Sequence, residues 1–107
     1  MGDQKKSRRE MLEEFLERNP DDAFTRYGLA LECMNSGDRA AADTHFRALL
    51  ASHADYVPAY LMYAQLLARE ARNEEARRIL TTGIAAATQK NNEHARSEME
   101  SLLNELS

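Results

Sequence analysis

Three histidines, one cysteine and a knot of glutamates are the side chains in this chain whose types invite a chemical reading. His45 and His53 stand eight residues apart. That spacing gives them one helix face but separates them by about 12 Å along the axis, too far to share a metal whose bonds are about 2 Å long. His94 falls in the first turn of a later helical segment, with no cysteine or clustered carboxylate beside it. All three read as surface or edge histidines. Cys33 belongs to an apolar stripe with Leu29 and Ala30, where a thiol stays protonated and inert. Glu13, Glu14 and Glu17 read as a solvated helix face, with Glu14 and Arg18 spaced for a weak pair. No glycine-rich phosphate loop occurs. Catalytic residues, metal ligands and cofactors are therefore not expected, and the chain reads as a non-enzyme.

Charge narrows the partners. Lys5, Lys6, Arg8 and Arg9 make a short basic run, and Arg69, Arg72, Arg77 and Arg78 a looser one. The chain is nevertheless acidic, with net charge −4, and Glu10 and Glu13 follow the first run. A polyanion binder carries a basic excess, so nucleic acid is not an expected partner. The apolar-rich stretch Val57 to Ala68 is too short to span a bilayer. The basic N-terminus has no apolar segment behind it, and Lys6 stands where a myristoylation signal wants Ser or Thr. One cysteine allows no internal disulfide. These features predict a cytoplasmic protein with no membrane partner.

The elements that must position any surface are all helical. Only two prolines and four glycines punctuate the 107 residues, and no useful length alternates with period two. Residues 1–7 read as a disordered tail. Ser7 and Glu10 have capping-box spacing, opening a helix near Arg8 that carries Met11, Leu12, Phe15 and Leu16 and ends at Asn19-Pro20. Asp21 or Asp22 caps a second helix, running to about Asn35. Ser36-Gly37-Asp38 is a turn, and a third helix carries Ala42, Phe46, Leu49 and Leu50. Pro58 suits the first turn of a fourth helix ending near Ala71. Asn73 is a candidate cap for a fifth, and residues 91–107 give a last helix with Ala95, Met99, Leu102, Leu103 and Leu106 on one side. About six helices are expected. The fourth is apolar almost all round, so it belongs at the centre. The second carries two stripes: Leu29, Ala30 and Cys33 on one, Phe24, Tyr27, Leu31 and Met34 on the other. One stripe suffices for a hairpin partner; the other reads either as contact with neighbouring helices or as a recognition surface.

A period of 34 residues organises these helices. Leu12, Phe46 and Leu80 form one series, and Leu16, Leu50 and Ile84 another. Ala30 pairs with Ala64, Ala42 with Ala76, and Ala51 with Ala85. A fixed period in the thirties marks stacked helical hairpins. The small residues allow helices to cross closely, and Phe46 and Leu80 fill the wedge beside each crossing. On these residues the chain resembles the tetratricopeptide repeat family. The resemblance implies an N-terminal half-repeat at 8–22, repeats at 23–56 and 57–90, and a capping helix at 91–107. Arg26 departs from the family's preferred aromatic, which Tyr60 respects, and Leu49 and Gly83 replace a usual alanine.

The resemblance also implies a function. In that family the first helix of each repeat lines a concave groove that holds a peptide or helix. Carried over, the groove comprises Phe24, Tyr27, Leu31, Met34 and Asn35 from the first repeat, with Leu61, Met62, Gln65 and Arg69 from the second. Tyr27, Leu31 and Met62 occupy places where some members hold a peptide's terminal carboxylate, so that clamp is absent. An apolar groove with methionine and aromatics suits an apolar ligand face. The expected partner is a protein or peptide. The rival reading is a scaffold that self-associates, as a homodimer for instance, through the same surface or an end helix.

Overall fold

The structure, a computed structural model, describes residues 6–107. The disorder expected for Met1 to Lys5, and Lys5 of the first basic run, lie outside the described residues. Lys6 and Ser7 are drawn onto the first helix: Lys6 reaches Glu14 at 2.6 Å, and Ser7 caps the helix. Six helices follow among the described residues: α1 (Arg8–Arg18), α2 (Ala23–Asn35), α3 (Arg39–Ser52), α4 (Val57–Arg69), α5 (Asn73–Gln89) and α6 (Glu93–Leu106). The all-helical expectation holds.

Short polar side chains set where most of them begin. The first N–H groups of a helix lack internal partners, and a capping oxygen that takes one contributes about 1 kcal/mol. At α1 the Glu10 N–H donates to Ser7 Oγ (3.1 Å) while the Ser7 N–H donates to the Glu10 carboxylate (2.9 Å). Asp22, Asp38 and Asn92 accept from the N–H groups of Thr25, Ala41 and Ala95. The fifth helix differs from expectation. Asn73 is its first residue and not its cap; Arg72 holds the cap position with no side-chain cap bond.

Three helices end by one device. The N–H of Asp38 donates to Cys33 O, that of Arg72 to Leu67 O and that of Asn92 to Ala87 O, each at 2.9 Å. This closure needs a left-handed residue just before the donor. Gly37 (φ 88°), Ala71 (φ 61°) and Asn91 (φ 57°) supply it. Glycine and asparagine tolerate that conformation, whereas alanine carries strain. It also stops α4 at Arg69, two residues before the expected end.

Packing follows the period. Helices α2 and α3 form one hairpin and α4 and α5 another, while α1 lies on α2 and α6 on α5 and α4. The crossing alanines Ala30, Ala42, Ala64 and Ala76 are wholly buried, as are Phe46 and Leu80 beside them. The two hairpins fill the space near the crossing differently. In the second, Tyr60 lies against Gly83, where an added Cβ would come within 2.5 Å of the Tyr60 Cβ. Tyr60 is buried, and its hydroxyl donates to Ala54 O at 2.5 Å. In the first, the equivalent pair is Arg26 and Leu49. Leucine supplies the bulk that glycine omits, and Arg26 turns its guanidinium to His45 at 3.2 Å. Tyr60 and Gly83 are thus coupled by packing, whereas a cavity remains beside Arg26 and Leu49.

The seam between hairpins combines aromatic and polar contacts. Phe46 stacks on Tyr63 with ring centroids 5.4 Å apart. The Tyr63 hydroxyl donates to Asp43 Oδ1 (2.5 Å) and accepts from Arg47 Nε (3.1 Å). Arg72 adds contacts to Asp43 (3.6 Å) and Glu70 (3.0 Å), with a two-pronged grip on Glu75. Along the stack α2 touches α4 and α4 touches α6, whereas α1, α3 and α5 do not approach one another closely. The row of α2, α4 and α6 is therefore the inner one. The molecule measures 53 × 28 × 21 Å with a radius of gyration of 14.9 Å, against about 13 Å for a compact chain of this length. It is an elongated stack, not a closed bundle.

Candidate functional site

The side chains whose types invite a chemical reading are scattered. Cys33 is wholly buried among core side chains, and burial pushes its thiol up from the ordinary value. His45 faces Arg26, while His53 Nε2 lies 3.1 Å from the carbonyl of Asp21. His94 is exposed, 3.5 Å from Glu98 on its own helix. Among the described residues no three His, Cys, Asp or Glu side chains are grouped to hold a metal ion. In the first basic run each described residue meets a carboxylate, and in the second Arg72 does. Arg8 lies 3.6 Å from Glu32, and Arg9 3.2 Å from Glu13 and 3.0 Å from Asp38. Lys6 takes Glu14, displacing the expected Glu14–Arg18 pair. No described helix is long and apolar enough to cross a membrane.

The inner row gathers most of the expected groove residues. Phe24, in the first turn of α2, is 75% exposed. Leu31 and Tyr27 follow on the same helix, half-buried, and Asn35 is exposed at its end. From α4 come Leu61, Met62 and Gln65, all half-buried, and exposed Arg69. Because α2 and α4 are neighbours, the two sets adjoin. Tyr27 also braces that seam: its ring packs on Tyr56, just ahead of α4, with centroids 5.3 Å apart. Burial, then the neighbouring Tyr56, raises its phenol above the ordinary value. Met34 differs from expectation. It is only 7% exposed and lies in the core; one turn from Ala30, it shares the covered side of α2.

Two apolar residues were not expected at the surface. Met11 is 54% exposed and Phe15 44%, although both lie on the apolar stripe of α1. The stripe is wider than one neighbour can cover. Leu12, near the site of Gly28, and buried Leu16 occupy the side toward α2. No other described helix packs against α1, so Met11 and Phe15 stay uncovered.

Concave space is modest. A cavity of about 250 Å³ lies beside Arg26, bounded by Pro20, Ala48, Leu49 and His53. On the outer side, a cleft of about 470 Å³ between α3 and α5 is floored by Tyr60 and Tyr63. Neither gathers a set of groups suited to catalysis.

The comparisons agree with this geometry. A model described as tetratricopeptide repeat matches residues 34–103. No curated protein matches the chain. A solution structure of a tetratricopeptide repeat domain protein from Salinibacter ruber is 28% identical, with TM-score 0.78 over 82% of this chain and 89% of that one. A crystal structure of a tetratricopeptide repeat domain protein from the same organism gives 28%, TM-score 0.76, and coverage of 79% and 96%. A protein from Bordetella parapertussis shares the fold at 24% identity, with TM-score 0.81 over 95% of this chain and 89% of that one. The matched segment spans more than half of the sequence and runs through the second full hairpin, so the chain belongs to the tetratricopeptide repeat family.

Proposed function

We propose that this chain is a non-catalytic protein–protein interaction module whose α2–α4–α6 face receives an apolar peptide or helix. The observation that carries the reading is Phe24, a large aromatic on the inner row that no part of the described chain covers. Leu31, Leu61 and Met62 extend the apolar strip, and Arg69 closes it with a positive charge. Half-buried side chains of this kind gain area when a ligand displaces water, at about 25 cal/mol per Å² of apolar surface. Methionine adapts its shape to different partners. Family membership supports an interaction or scaffold role in general terms, and the exposed apolar strip supports this face.

Selection from a random peptide library tests the proposal. The native chain should enrich apolar peptides, and Phe24→Ser with Met62→Ser should weaken the enriched peptide roughly a hundredfold, as expected when contacts at the centre of an interface are lost. Helix content should stay unchanged, because Phe24 is exposed and Met62 only half-buried. Enriched peptides that bind the variant as well as the native chain would remove the inner row as the site.

A further inference from the structure

By its 34-residue register α1 matches the second helix of a hairpin, and among the described helices only α2 packs against it. Leu12, Phe15 and Leu16 stand 34 residues before Phe46, Leu49 and Leu50. In α3, packed on α2, Phe46 and Leu49 are wholly buried. In α1, Phe15 keeps 44% of its surface and Met11 keeps 54%. The side of α1 that stays open is the one on which α3 carries α2.

The charges beside these residues select the kind of helix. Arg8, Met11, Phe15 and Arg18 follow at spacings of three, four and three, which places them in one row. The apolar pair is thus bracketed by two arginines, both exposed. Glu14 borders the row, but Lys6 holds it at 2.6 Å. Arg8 also occupies the crossing place that Ala42 and Ala76 hold in α3 and α5. It is 71% exposed, with Glu32 at 3.6 Å. A neighbour built like α2, with alanine at the crossing, would leave that arginine desolvated and poorly paired.

We propose that this outer face of α1 docks an amphipathic helix of a partner protein, with acidic residues at both ends of its apolar stripe. The surface is separate from the inner row and does not depend on it. A second copy of the chain fits poorly. Antiparallel pairing of two α1 helices about a two-fold axis sets Met11 on Phe15 but brings Arg8 onto Arg18 at both ends. The remaining end helix is already committed: Met99 of α6 is buried, and Arg77 Nη1 donates to Leu106 O at 2.8 Å.

Two synthetic helical peptides test the assignment. They carry the same leucine stripe, flanked by glutamates in one and by lysines in the other, and titrate the full chain by fluorescence anisotropy. The glutamate peptide should bind roughly tenfold or more tightly than the lysine peptide. Arg8→Glu with Arg18→Glu should reverse that order, and Met11→Ser with Phe15→Ser should weaken both peptides. The arginine reversal stands as a readout even if the apolar variant unfolds, since both arginines are exposed. Absence of binding by either peptide would overturn the proposal, as would equal affinities or a preference that survives the reversal. Loss of binding on Phe24→Ser alone would move the peptide to the inner row and also overturn it. Sedimentation equilibrium showing a dimer that Met11→Ser with Phe15→Ser dissociates would make a second copy the occupant and refute the partner helix.

Discussion

Single side chains here trade places across the repeat. Tyr60 packs against Gly83, so that glycine is not free to change alone, whereas the equivalent Arg26 and Leu49 leave a cavity of about 250 Å³ beside them. In an exposed helix, Gly→Ala gains about 1 kcal/mol from helix propensity. At Gly83 the new Cβ would stand 2.5 Å from the Tyr60 Cβ and 2.6 Å from Met99 Sδ. The methionine can move, but the tyrosine Cβ is fixed by its backbone. We expect Gly83→Ala to destabilise by about 1–3 kcal/mol, the usual cost of overpacking, measured by the urea midpoint. The arginine in the other pair has a different consequence. Burial, followed by the charges of Arg26 and Arg9, holds the His45 imidazole below its ordinary value. The folded chain therefore takes up this proton less readily than the unfolded one. Stability that is present above about pH 6.5 is lost as the pH falls toward the folded value. The melting temperature should decline between about pH 7 and pH 5, and His45→Gln should flatten that decline. An equal decline in the variant would assign it elsewhere. Asp22, Asp38, Asp55 and Glu75 are all held below the usual carboxylate range. Their contributions are lost below about pH 5, as the pH falls through the unfolded carboxylate range, and so fall outside the window of the test.

Helix ends carry most of the information at the next scale. Ala71 stands 34 residues after Gly37 and does the same work with the wrong residue: its φ of 61° closes α4 as Gly37 closes α2. Ala71→Gly should raise stability by about 0.5–1 kcal/mol, the relief of left-handed strain less the entropy of glycine. A loss on thermal or urea unfolding would contradict that account of the turn. Two helix starts were legible in advance: Ser7 makes the expected capping box with Glu10, and of the pair Asp21 and Asp22 it is Asp22 that caps α2. The start of α5 was not, because Arg72 holds the cap position with no capping side chain and engages Glu70 and Glu75 instead. Surface residues followed the same division. Phe24 and Arg69 were placed by their register on the inner helices. Met34 has that register too, yet the core covers it, since spacing alone does not say how far a neighbouring side chain reaches. Met11 and Phe15 look like ordinary core in sequence. They are exposed because α2 is the one described helix that packs against α1.

For the molecule as a whole, the decisive property is translational stacking. Helices α2, α4 and α6 touch in turn while the outer helices stand apart, and the Tyr63, Asp43, Arg47 and Arg72 contacts hold the first hairpin to the second. The inner row is therefore a continuous face, with apolar side chains from α2 and α4. A closed bundle of the same helices would bury that strip and leave nothing to bind. Titration of the isotopically labelled chain with its selected peptide, followed by amide NMR shifts, tests this most directly. Shifts should concentrate at Phe24, Leu31, Leu61, Gln65 and Arg69 on α2 and α4. Shifts confined to α3 and α5 would place the ligand on the outer side and contradict the account.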